Sequence, residues 1–353
     1  MMLNKKRLLS GNEAVVYGAL LAGADAFYGY PITPASEIAH TAAAKFPELG
    51  RVFIQAESEI GAINMVMGGA AAGRRVMTAS SGLGISLKQE AISYLAGAEL
   101  PCVIVDITRG GPGLGNIGPE QSDYFQVVKG GGHGSYRCIV LAPGSAQEMC
   151  DMAGLAFELA ERYGIVVYIL ADAVIGQMIE SVQLPEPLPP RQLPDNALAI
   201  GKNRNNFFTS IYLEPDELEA HNIKLQKKYA LIQNQEERSE GYLTEDAEIV
   251  YVAYGICARL AGNAADILRS QGIKAGVLRP QTLFPFPVKA LRQAAGNAQM
   301  FISVELSCGQ MTDDIKLAID CRKRVELINR MGGNMLSVKE IVERTQGLLC
   351  NTK

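Results

Sequence analysis

No two of the seven cysteines (Cys102, Cys138, Cys150, Cys257, Cys308, Cys321 and Cys350) stand close enough to form a Cys-x-x-Cys pair, and their number is odd. That weighs against a disulfide framework, a zinc site and a local iron–sulfur motif. Histidine is scarce too: His40, His133 and His221 are too scattered for a histidine-rich metal centre. No apolar run approaches the ~18 residues that span a bilayer. The basic start, residues 1–7, has no apolar stretch behind it, so it does not read as a signal peptide. A net charge of −4 argues against non-specific binding to nucleic acid or an anionic membrane. A cytoplasmic protein is the expectation.

Several ligand-binding signatures are missing as well. A nicotinamide-binding turn needs Gly-x-Gly-x-x-Gly after a strand, but Gly82-Leu83-Gly84 lacks the third glycine and Gly255-Ile256-Cys257 the second. A P-loop needs its glycines followed by Lys and Ser or Thr. Gly68 and Gly73 have the glycine spacing, but Arg74-Arg75 follow, and the run precedes a strand. No Gly-x-Ser-x-Gly elbow suggests a hydrolase.

What is present is a repeated alternation of apolar strands and helical patterns along 353 residues, enough for two or three domains. Ser10-Gly11-Asn12-Glu13 has the spacing of a capping box before a helix over 14–22. Strands follow at 25–28, 52–54, 76–79, 101–107, 138–141 and 166–170. The helix over 60–73, dense in Gly and Ala, is expected to pack closely on its neighbours as a buried crossover. Repeated β–α units point to an α/β fold with doubly wound parallel sheets. Leu184-Pro185-Glu186-Pro187-Leu188-Pro189-Pro190 reads as an extended linker. A charged, helix-prone stretch over 214–240 suits an arm laid over another surface, and a second β–α series starts at 248. The expected division is 1–180, a linker and arm over 181–244, and 245–353.

Four strand ends carry the candidate chemistry. In open α/β sheets ligands bind at the C-terminal edge. Gly29-Tyr30-Pro31-Ile32-Thr33-Pro34 turns from a strand into a helix, with Pro34 suited to the first helical position and Thr33 to the N-cap. Glu57 and Glu59 follow the second strand. Glu59 either favours the dipole of its helix or is a desolvated carboxylate with a raised pKa, suited to proton exchange with a heterocycle. Ser80, Ser81 and Gly82 follow the third strand. Arg109 follows the fourth and fits either a forked hydrogen bond to an anion or a surface ion pair. After it, Gly110-Gly111-Pro112-Gly113-Leu114-Gly115-Asn116-Ile117-Gly118-Pro119 admits no regular element and reads as a long, mobile, functional loop. Gly130-Gly131-Gly132-His133-Gly134 reads as a further flexible stretch.

Tyr30-Pro31-Ile32-Thr33-Pro34, Glu59-Ile60-Gly61-Ala62 and Arg109-Gly110-Gly111-Pro112 together resemble the pyrimidine-binding alpha subunit of the 2-oxoacid:ferredoxin oxidoreductases. Within that family the 109–117 loop, the 129–134 segment and Leu278-Arg279-Pro280-Gln281-Thr282-Leu283-Phe284-Pro285-Phe286-Pro287 resemble the 2-oxoisovalerate type. The 2-oxoglutarate type would carry Ser-Thr-Gly-Leu-Pro-Thr after the Gly-Gly-Pro. The resemblance implies a thiamine-diphosphate pyrimidine-binding domain followed by a transketolase C-terminal-like domain. It implies thiamine diphosphate chemistry, with Glu59 on the aminopyrimidine (Glu57 its rival), Thr33 touching substrate and Arg109 holding the substrate carboxylate. Tyr30, Pro31, Ser81 and Gly82 would line the cofactor. The magnesium-binding Gly-Asp-Gly pattern occurs nowhere in the chain. The implied half-site is therefore completed by a thiamine-diphosphate-binding beta subunit. Mg2+ and iron–sulfur clusters are expected on partner subunits only, alongside gamma and ferredoxin-like delta subunits, with ferredoxin, coenzyme A and a 2-oxoacid as reactants. The competing expectations are the same reaction on 2-oxoglutarate or an arylpyruvate, and a non-catalytic assembly scaffold.

Overall fold

The structure, a computed structural model, describes residues 6–188 and 208–350. The end of the expected linker, residues 189–190, lies outside the described residues. Strand β1 (Lys6–Ser10) enters α1 (Gly11–Leu21) through the capping box read from the sequence. Ser10 Oγ accepts from Glu13 N, and the Glu13 carboxylate accepts from Ser10 N. Then β2 (Ala26–Gly29), α2 (Ser36–Glu48), β3 (Val52–Gln55), α3 (Glu59–Ala71), β4 (Val76–Ser80), α4 (Leu83–Gly97) and β5 (Cys102–Thr108) alternate. A π-helix (Phe125–Gly130) leads to β6 (Ile139–Leu141), α5 (Ala146–Tyr163), β7 (Val166–Asp172), α6 (Ala173–Gln177) and β8 (Ile179–Gln183). Further along come α7 (Pro215–Gln235), β9 (Ser239–Tyr242), β10 (Ile249–Val252), α8 (Gly255–Ser270), β11 (Ala275–Pro280) and β12 (Thr282–Phe284). The chain closes with α9 (Val288–Ala294), β13 (Met300–Glu305), α10 (Gln310–Ala318), β14 (Arg324–Asn329) and α11 (Val338–Cys350).

Apart from an antiparallel ribbon of β1 and β8, these strands form two α/β sheets of the expected class. The first runs β12-β6-β7-β5-β4-β2-β3, parallel except for β12. The second runs β14-β13-β10-β11-β9, parallel except for β9. The central strands β5 and β7 are buried along their whole length because helices cover both faces. Each large apolar side chain there contributes about 1.5–3 kcal/mol by leaving water. Helix α1 lies against α5 so tightly that a Cβ on Gly18 would stand 2.1 Å from the Cys150 carbonyl oxygen. The arm is visible as α7, which buries Leu225, Tyr229 and Ile232 and ties Lys228 to Glu99 and to the Gly164 carbonyl.

The two lobes are stitched by buried polar groups. Gln121 and Leu306 exchange N–H donors, at 2.7 and 3.0 Å, while Gln121 Nε2 donates to the Tyr254 carbonyl at 3.1 Å. Asp172 accepts from Ile175 N, capping α6, and from Ile256 N at 2.8 Å in α8 of the other lobe. Strand β12 crosses between lobes altogether: its residues follow β11 of the second sheet yet pair with β6 of the first.

Four local expectations are corrected. Helix α2 starts at Ser36, not Pro34, and Thr33 is not its cap. The Thr33–Pro34 peptide is cis and Ala35 N donates to the Ile32 carbonyl, so a turn occupies the positions expected to open the helix. The 109–119 loop closes on itself through an Arg109–Pro119 bridge. It is also pinned to the other lobe by Asn116 Nδ2 donating to the Gly332 carbonyl at 3.0 Å. In the 130–134 stretch Gly131 and Gly132 serve close packing, a Cβ on Gly132 lying 2.5 Å from the Gln89 carbonyl oxygen, while Gly130 and Gly134 take positive φ. Finally, α3 is packed on one side only. Ile60, Asn64, Met65 and Gly68 are exposed, because only its Ala62, Ile63, Val66 and Ala70 face meets the sheet and α4.

Candidate functional site

In the first sheet β5, β4, β2 and β3 are consecutive neighbours and parallel, so their C-terminal ends fall side by side on one edge. That edge gathers the 30–35 turn after β2, residues 56–59 after β3, Ser81 and Gly82 after β4, and Arg109 after β5. Sequence-distant groups become neighbours through strand order alone.

At one end of this edge Arg109 Nη1 donates to the Thr33 carbonyl at 2.9 Å and Nη2 to the Leu114 carbonyl at 3.3 Å. The anticipated surface ion pair is not made: among the described residues no carboxylate lies within ion-pair distance of this guanidinium. Gly82 packs on the arginine stem, its N–H donating to Asp123 at 3.2 Å. A cavity of about 760 Å³ opens here, lined by Arg109, Gly82 and Asp123 and, from the second lobe, Cys308, Gln310 and Gly332. Thr33, Tyr30 and Pro31 are exposed beside it.

At the other end Glu59 is the first residue of α3, whose N-cap Ser58 accepts from Gly61 N at 3.1 Å. Its side chain is buried, 7% exposed, and no hydrogen bond from a described residue reaches its carboxylate. The carboxylate rests against the first turn of α4. A Cβ on Gly84 would lie 2.9 Å from Glu59 Oε1 and 2.0 Å from Ser80 Oγ, so only glycine fits. Glu57, by contrast, is exposed and folds over Gly61. The hydroxyls of Ser80 and Ser81 are fully buried and unpartnered. The Glu59 acceptor and the exposed Tyr30 and Pro31 offer a surface able to meet one edge of a polar heterocycle, with the Ser80 and Ser81 hydroxyls buried behind it.

The start of α4 joins the two ends: its N-cap Gly82 lies against Arg109 and its Gly84 against Glu59. Sequence reasoning missed three titratable groups around that helix. Lys88 is fully buried and its Nζ donates to the Glu59 backbone carbonyl at 3.3 Å. Burial pushes its pKa down to about 8, against the opposing pull of the Glu59 charge. Asp106, central in β5, is fully buried with both oxygens unpartnered, and burial, then the charge of Asp123, raises its pKa well above the ordinary carboxyl range. Asp123 is itself pushed up to about 6 by burial, with Glu120 adding to the shift and the Gly82 N–H and Arg109 opposing it. The signal for Asp106 was visible as a lone acid in the apolar run 102–107. Lys88 carried none, since a lysine on an amphipathic helix ordinarily faces water.

Among the described residues no helix is long and apolar enough to cross a membrane. Residues 17–240 match the family model for pyruvate flavodoxin/ferredoxin oxidoreductase, thiamine diphosphate-binding, and residues 247–341 that for pyruvate:ferredoxin oxidoreductase core domain II. The ketoisovalerate oxidoreductase subunit VorB of Methanothermobacter marburgensis is 59% identical over 341 residues, covering 96% of each chain. The 2-oxoglutarate synthase subunit KorA of Archaeoglobus fulgidus is 38% identical, covering 95% of this chain and 98% of that one. A solved 2-oxoglutarate:ferredoxin oxidoreductase of Magnetococcus marinus, with 2-oxoglutarate, coenzyme A and succinyl-CoA bound, superposes with a TM-score of 0.89 at 27% identity. The match covers 98% of this chain and 65% of that one.

Proposed function

This chain belongs to the family of thiamine-diphosphate-dependent 2-oxoacid:ferredoxin oxidoreductases, and we propose that it is the pyrimidine-holding subunit of an enzyme that oxidatively decarboxylates 2-oxoisovalerate. The products would be an acyl-CoA, CO₂ and reduced ferredoxin. The substrate assignment is supported by the 59% identity to a ketoisovalerate enzyme subunit, against 38% to a 2-oxoglutarate one. The site assignment rests on Glu59, a buried carboxylate without a hydrogen-bond donor at the sheet edge that also carries Arg109.

The residues present fit thiamine diphosphate. The free Glu59 carboxylate, the unpartnered Ser81 hydroxyl and the Gly84 surface where no Cβ fits are what an aminopyrimidine edge needs. When bound, that cofactor supplies the carbanion chemistry that a protein side chain cannot. Glu59 would accept a hydrogen bond from the ring and would take up or release a proton at its carboxylate. Arg109, held by the Thr33 and Leu114 carbonyls, presents its remaining N–H groups to the substrate carboxylate. Thr33, Tyr30, Pro31 and Gly82 shape the rim. The diphosphate, Mg2+ and the iron–sulfur clusters belong to partner subunits: a thiamine-binding beta chain, with gamma and ferredoxin-like delta chains. The exposed outer face of α3 suits such a partner.

The test compares the purified chain with the assembled complex, given 2-oxoisovalerate, coenzyme A, thiamine diphosphate, Mg2+ and a viologen acceptor. The chain alone should be inactive and the complex active, with 2-oxoisovalerate preferred over 2-oxoglutarate. Turnover by the chain alone would overturn the half-site, and preference for 2-oxoglutarate would overturn the substrate.

A further inference from the structure

Residues in register on adjacent parallel strands project from the same face of a sheet, about 4.8 Å apart. Ser80 of β4 is in register with Asp106 of β5. Two residues earlier Thr78 pairs with Ile104, and Ile104 pairs in turn with Tyr168 of β7. Thr78, Ser80, Asp106 and Tyr168 therefore share one face, the face under α4, where Ser80 Oγ meets Gly84. All four are buried, and Thr78 Oγ1, Ser80 Oγ, both Asp106 oxygens and the Tyr168 hydroxyl bond nothing among the described residues. Gln89 Nε2 of α4 joins them. So many unpartnered atoms on one buried face are costly, and ordered water with two to four polar partners is the ordinary remedy.

The row has two distinguishable ends. At one end Ser80 Oγ and Glu59 Oε1 both lie against Gly84. At the other, Asp123 accepts from Gly82 N at 3.2 Å, two residues past Ser80, lines the Arg109 cavity and acts through its charge on Asp106. Resting on the function proposed above, the stoichiometry gives such a row a task. A 2-oxoacid anion and a thiol, converted to a thioester, CO₂ and two electrons, release one proton per turnover. Glu59 is only 7% exposed, and a ring seated over its carboxylate would leave the proton in need of an outlet.

We propose that Ser80, Asp106 and Asp123, bridged by ordered water, form a proton relay that carries this proton from Glu59 to the cavity beside Arg109. Each transfer makes one O–H bond as another breaks: Asp106 passes its proton to Asp123 and regains one from the Ser80 side, with no net change. The groups facing the relay are Tyr168 on β7 and Tyr254 from the second lobe, Glu120 and Arg109 around Asp123, and Lys88 on α4 beside Glu59. Burial, then the charge of Asp123, raises the pKa of Asp106 well above the ordinary carboxyl range, while Asp123, pushed up to about 6, sits where it can take up and release a proton.

Two measurements test this. Infrared spectroscopy of the isolated chain at pH 7 should show a protonated-carboxyl stretch that shifts in heavy water and disappears in D106N. In the assembled complex, D106N and S80A should each lower kcat about tenfold or more and enlarge the solvent deuterium isotope effect. KM for the 2-oxoacid should stay unchanged. Absence of the carboxyl band, or wild-type kcat and isotope effect in both variants, would overturn the relay alone. A wild-type complex that turns over no 2-oxoacid would overturn the function proposed above, and the relay with it.

Discussion

Arg109 Nη1 donates to the backbone carbonyl of Thr33 at 2.9 Å, joining the end of β5 to the turn after β2 across the strand between them. With the bond from Nη2 to the Leu114 carbonyl, it fixes the plane of the guanidinium while leaving the remaining N–H groups to a ligand. A substrate carboxylate would meet a fork already oriented, so little rotamer freedom is lost on binding.

Lysine keeps the charge at this position but cannot hold the Thr33 carbonyl and a carboxylate in one plane. R109K should raise KM for the 2-oxoacid about tenfold or more in the assembled complex, with a smaller effect on kcat. Steady-state kinetics with varied 2-oxoacid decide it; an unchanged KM would remove Arg109 from substrate recognition.

The two candidate glutamates part company in burial. E59Q should cut kcat at least about a hundredfold, because it removes the buried, unpartnered carboxylate beside Gly84. E57Q alters an exposed side chain and should stay within about twofold. Both leave the fold intact by circular dichroism. Unchanged turnover in E59Q would favour an assembly scaffold.

Lys88 gives a stability signature that depends on pH. Its pKa is about 8 when folded against 10.5 for an unperturbed lysine. Between those values the unfolded chain holds a proton that the folded chain has released, so stability rises with pH across that window. Below pH 8 the buried ammonium costs about 3 kcal/mol. The stability gap between K88M and wild type should therefore be widest in favour of K88M near pH 7 and shrink by about that amount by pH 10.5. Urea unfolding of both chains across the window measures it.

The lobe junction has its own test in Asp172, which accepts from Ile175 N and from Ile256 N. D172A strands two buried donors and should cost about 2–4 kcal/mol, whereas D172N keeps an acceptor and should cost less. Chemical denaturation that finds the two variants equal would mean those bonds contribute little.

The strand–turn–helix edges were legible because an apolar run followed by small polar residues marks them without tertiary information, as at 76–82 and 102–109. The capping box at Ser10 and Glu13 was legible for the same reason. The start of α2 was not. Thr33 and Pro34 carry the local signature of a cap and a first helical residue, but the bond from Ala35 N to the Ile32 carbonyl overrides it. Lys88 depends on which face of α4 meets the core, which one polar residue in a helical pattern does not reveal, whereas Asp106 stood out as a lone acid in a run buried on both faces. Strand β12 was out of reach because three residues have no period of their own, and their partner is a strand laid down far earlier in the chain.

That late partner sets a timetable for synthesis. Strand β6 is complete when Leu141 has been made, but its neighbour begins only at Thr282. At ~5–20 residues per second, on the order of ten seconds pass between them on the ribosome. Throughout that interval the nascent first lobe carries an uncovered row of N–H and C=O groups along β6, open to pairing with a neighbouring chain.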